Sequence, residues 1–105
     1  MNKREYKLQI LPLFEEDLNG IVDYILHKLK NMTAAINFVD EVEKAIYGRF
    51  NSPESFGRPY QSAKDRKQLY YRIQVKNFTI FYVVIDEIVE VRRIIYSRRD
   101  LSKHI

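Results

Sequence analysis

The cations of this sequence are unevenly placed. Residues 58–105 hold eleven Lys/Arg against five Asp/Glu, whereas residues 1–57 hold seven against nine, within a net charge of +4. A half-chain of that sign suggests a polyanion or an acidic protein as partner. Arg72 stands in the middle of an alternating segment and Lys76 at its end. Arg98 and Arg99 stand near the C-terminus, and Lys64, Arg66 and Lys67 precede the alternating segment. A guanidinium fork pairs two phosphate oxygens at once. Tyr60, Tyr70, Tyr71, Tyr82 and Tyr96 add rings on which unstacked bases can rest, with Tyr70 the best exposed candidate because it shares a face with Arg72. His104 is the one group of the basic half whose unperturbed pKa lies near neutrality. Each has an ordinary alternative. Arg72 can pair across a sheet, Lys76 can be a solvated turn cation, and His104 a solvated terminal residue. His27, among lysines, reads as surface.

Composition excludes several classes. Fourteen aromatic residues are too many for a chain that never folds. The absence of Cys removes disulfide scaffolds, zinc ribbons and cysteine nucleophiles. No Gly-rich phosphate loop is present. Two His far apart and no compact carboxylate cluster imply no metal and no cofactor. There is no long apolar run and no charged-then-apolar leader, so the expectation is one soluble, cytoplasmic domain over 1–105 with no membrane partner.

These residues need elements to position them. Residues 4–11 alternate, with Tyr6, Leu8 and Ile10 on one face, which predicts a half-buried strand. From Leu13 to Lys30 the period becomes helical, through Phe14, Leu18, Ile21, Ile25 and Leu29. Asn31 is a left-handed stop and Thr33 an N-cap for a second helix, on which Phe38, Val42, Ile46 and Phe50 share a stripe. So short a connection predicts an antiparallel αα-hairpin. Residues 51–67 lose periodicity and read as a long basic loop, a length that is often functional. Residues 68–76, 78–85 and 88–96 read as strands joined by turns at Lys76-Asn77 and Asp86-Glu87. Residues 78–85 are apolar on both faces, which suggests a central, doubly covered strand. The whole is an α+β fold, β-α-α-β-β-β, with an antiparallel sheet packed on one face by the hairpin. Arg72, Gln74 and Lys76 then point to the opposite, open face.

The order of elements and the stretches "YYRIQVKNFTIFYVVID", "VEVRRIIYSRRDL" and "SPESFGRPY" resemble the RelE/ParE superfamily of toxins from type II toxin–antitoxin pairs. The resemblance covers nearly the whole chain and implies a cognate antitoxin, here expected to be acidic and to fold over the hairpin and sheet. RelE-like members cut messenger RNA on the ribosome without a metal. ParE-like members share the fold, lack the nuclease residues and poison DNA gyrase. A third possibility is an antitoxin-binding module whose toxic activity has decayed.

The RNA cut is attack of a 2′-hydroxyl on the adjacent phosphate. It needs a base, an acid for the leaving oxygen, and fixed cations around the phosphoryl oxygens. By resemblance, Arg72, Lys76, Arg99 and His104 are the catalytic candidates. Arg99 would stabilise the scissile phosphate and His104 would act as acid or base. Lys64, Arg66, Lys67, Tyr70 and Arg98 would grip the RNA. The Glu base of some nuclease members has no clear counterpart, since the acid in that neighbourhood is Asp65, flanked by Lys64 and Arg66. The chain also ends in Lys103-His104-Ile105 where other members end in a His-Tyr pair. The expectation is a ribosome-dependent messenger RNA endonuclease, with gyrase inhibition as the alternative.

Overall fold

The computed structural model describes residues 5–50, 52–54, 60–61 and 69–98. Strand β1 (Lys7–Ile10) leads into helix α1 (Pro12–Asp23), with Pro12 at the first turn, where a missing N–H costs nothing. One π-helical turn, Tyr24–Lys28, extends α1. Helix α2 (Met32–Phe50) comes next, then strands β2 (Tyr60–Gln61), β3 (Leu69–Val75), β4 (Phe78–Ile85) and β5 (Ile88–Tyr96).

The first helix is not the single α-helix that its apolar spacing predicts. A π-turn carries an extra residue and rotates the end of the helix off the stripe, so Leu29 is 58% exposed while Ile25 still packs on the core. The cap assignments shift by one or more positions as well. Lys30 takes the left-handed conformation, and Asn31 Oδ1 accepts the Ala34 N–H at 3.0 Å, so Asn31 caps α2 in place of Thr33.

The sheet order is β1-β5-β4-β3-β2. The β3–β4–β5 meander is antiparallel, and its two turns start at Lys76 and Asp86, both with positive φ. Two features depart from the expected sheet. β1 runs parallel to β5, because the helical hairpin carries the chain over one face before the meander returns beside β1. The segment expected to be loop throughout contains β2, which pairs antiparallel with β3.

Both faces of the meander are covered. On the helical side, Phe14, Phe38, Val42 and Ile46 pack on Ile73, Val75, Ile80, Tyr82, Val91 and Ile94. On the far side, Tyr70, Phe81, Val83 and Ile95 form a second cluster, each 0–4% exposed. The central strand β4 thus serves two cores, as its apolar run implies. The far side itself is not the open basic face that the alternation of β3 suggested.

Between the two, β5 contains a bulge. Tyr82 pairs with Val91 and Phe81 with Arg93, so Arg92 is the extra residue. Alternation is broken there, which lets Val91 and Ile94 both reach the helical core.

Candidate functional site

The candidate site is the far side of the sheet, at the end formed by the Lys76-Asn77 turn and the exit of β5. β3 places Tyr70, Arg72 and Gln74 on this side by alternation, since Ile73 and Val75 lie in the helical core. Tyr70, expected to be exposed, is 4% exposed, and Phe81 meets its ring edge-on at 6.4 Å. Its hydroxyl accepts from Arg92 Nη1 at 2.8 Å, and the same guanidinium sits 5.5 Å from the ring centroid. A ring so engaged is unavailable for stacking a base. Arg72 is exposed on β3 and pairs in register with Phe81, and its carbonyl accepts Arg49 Nη1 at 3.2 Å.

Lys76 departs from its expected position. At a left-handed turn residue the side chain swings to the helical side, and its ammonium lies 3.6 Å from Glu41 on α2. Both partners are about half exposed, so the ion pair contributes little to stability. Arg72 and Lys76 therefore do not converge on one phosphate-sized site. Arg98 is exposed and directly follows Ser97, whose N–H donates to Asn77 O at 2.8 Å. Lys64, Arg66, Lys67, Arg99 and His104 lie outside the described residues.

Several polar residues with no role in the expected chemistry prove structural to this end of the molecule. Arg92 Nε also donates to Glu90 at 3.1 Å, so the carboxylate on this face is engaged by its own neighbour. Arg93 makes two bonds, at 2.7 and 2.9 Å, to Asp17 of α1. Asp17 accepts the Ile94 N–H at 3.1 Å as well, beyond the point where β1 stops pairing with β5. The Asp17 hydrogen bond holds the Arg93 guanidinium above its ordinary pKa. Two consecutive arginines in an alternating strand were the available signal for the bulge.

On the helical side, Tyr82 and Tyr71 stack at 5.3 Å. The Tyr82 hydroxyl donates to Pro53 O and accepts from Arg49 Nη1 at 3.3 Å. Burial is the main cause that raises the pKa of both tyrosines. Among the described residues, no group of three His, Asp or Glu could hold a metal ion.

Fold and site together define a small sheet-and-hairpin domain with a basic second half. The family model for "ParE toxin of type II toxin-antitoxin system, parDE" matches residues 8–101, and the chain belongs to that family. A solved chain of the chromosomal ParDE TA system from P. aeruginosa has the same fold. Its TM-score is 0.69 at 15% identity, over 90% of this chain and 98% of that one. No curated protein matches the sequence. The protein is therefore a toxin of a type II toxin–antitoxin system, as the resemblance implied.

Proposed function

We propose that this toxin acts by binding DNA gyrase, without cutting RNA. The carrying observation is the match of residues 8–101 to the ParE toxin family model, which favours the target of ParE-like members. The site geometry supports it. Lys76 pairs with the helical layer, Tyr70 is buried, and Glu90 is engaged by Arg92, so the described residues supply no converging base, acid and cation set. The test uses the purified protein in two assays. Gyrase supercoiling should be inhibited, while message on translating ribosomes stays intact. Cut message that is lost in Arg99→Ala, with supercoiling untouched, would establish the endonuclease reading instead.

The partner reading is that an antitoxin lies over the helical hairpin. Val22, Leu26, Met32, Ala35, Ile36 and Val39 line an apolar groove of about 350 Å³ between the helices, with Asp40 at its margin. Met32 and Ile36 are 68% and 56% exposed, which suits the apolar face of an added helix.

A further inference from the structure

On its far side β4 carries Thr79, Phe81, Val83 and Ile85, of which Thr79 alone bears a polar side-chain group, and Thr79 is 5% exposed. At a buried strand position a valine would fill the same volume with no polar group to satisfy. The hydroxyl is satisfied by a closed ring. Thr79 Oγ1 donates to Gln74 Oε1 at 3.2 Å, Gln74 Nε2 donates to Ser97 Oγ at 2.9 Å, and Ser97 Oγ lies 2.8 Å from Thr79 Oγ1. With the Thr79 proton committed to Gln74, the Ser97 hydroxyl must donate to Thr79, and each member gives one bond and takes one. The amide orientation is fixed independently, because Gln74 Nε2 also donates to Lys76 O at 2.7 Å, where a flipped oxygen would face an oxygen.

The ring ties together β3, β4 and the residue that leaves β5, and its free end is Arg98. Gln74 is exposed and Ser97 half-buried, so water would satisfy them if the ring were absent. Stability alone therefore gives little reason to keep a polar group at position 79. The ring does fix the direction in which the chain leaves the sheet, beside the Lys76-Asn77 turn.

We infer that Thr79, Gln74 and Ser97 are positioning residues for Arg98, and that Arg98 is a cation with which the toxin grips its macromolecular target. The inference rests on the toxin reading but not on which target it is.

The test is growth arrest on induced expression of the full chain, with thermal melting of each purified variant. Thr79→Val should melt at or above the wild-type temperature. It should nevertheless need about tenfold more induction for arrest, the lower end of what supporting partners of a site typically control. Thr79→Ser should restore toxicity, and Arg98→Ala should lose it with unchanged melting. If Thr79→Val does not fold, Ser97→Ala is read in its place. A folded Thr79→Val or Ser97→Ala as toxic as wild type overturns the inference, as does a fully toxic Arg98→Ala or a wild-type chain that arrests nothing. If the wild type arrests growth but leaves supercoiling untouched, the gyrase reading falls while the comparison among variants still decides this one.

Discussion

Tyr82 is 1% exposed, and its hydroxyl is bonded in both directions, to Pro53 O and from Arg49. It holds the end of α2 and the start of the next segment against the sheet. Tyr82→Phe keeps the stacked ring and leaves the Pro53 carbonyl short of a donor, so denaturant melts should show a loss of roughly 1–2 kcal/mol. The pH dependence has the same burial as its cause. A phenol whose folded pKa is raised above its unfolded value near 10 contributes stability that is complete below that value. The contribution is lost as pH rises through the folded pKa. Melting temperature in the wild type should therefore decline in the alkaline range, and Tyr82→Phe should reduce that decline, Tyr71 acting in the same direction. Asp17 is the comparable residue on the other flank. It answers Arg93 twice and the Ile94 N–H once. The two side chains are 19% and 15% exposed, so Asp17→Ala should cost about 1–3 kcal/mol by chemical denaturation, below the figure for a fully buried pair.

At the scale of the element, the bulge in β5 determines more than any single contact. Arg92 is one residue too many for the β4 register, and the strand on its two sides reaches the helical core with Val91 and Ile94. Arg92 has no partner in β4, so removing it would leave Val91, Arg93 and Ile94 in plain alternation, with Val91 and Ile94 still on the helical face. Deletion of Arg92 should therefore keep the cooperative thermal transition seen by circular dichroism, at a lower temperature because the bonds to Tyr70 and Glu90 are lost. Arg92→Ala, which keeps the count, should still fold. The sequence carried a trace of this bulge in the Val91-Arg92-Arg93-Ile94 pattern. The two hairpin turns were fully legible, because turn geometry is a local property of two residues between alternating strands. The π-turn was not legible, because nothing in the apolar spacing of residues 13–30 marks the extra residue carried by Tyr24–Lys28.

For the molecule as a whole, the charge asymmetry and the exposed hairpin groove predict two separable contributions to antitoxin binding. The groove contribution is apolar. Ile36→Glu, at a 56% exposed position, should weaken the antitoxin complex by about tenfold or more in a titration, without lowering the melting temperature of the toxin alone. The other is electrostatic and comes from the basic half. Affinity of the wild-type complex should fall as salt is raised from low to physiological concentration, because screening acts on exposed charges within a Debye length of about 8–10 Å.

The order of elements apart from β2, the hairpin, the meander and the centrality of residues 78–85 were determined by the sequence alone. Each arises from local period and local turn chemistry. The resemblance to the toxin superfamily rested on the same stretches. Tertiary structure alone decided that β1 runs parallel beside β5, that β2 pairs with β3, that Lys76 turns toward Glu41, that Tyr70 is buried in a cluster with Phe81, and that Gln74, Thr79 and Ser97 meet. Periodicity says which residues share a face. Which neighbour lies over that face depends on pairings between residues distant in the chain, and those are set only when the sheet closes.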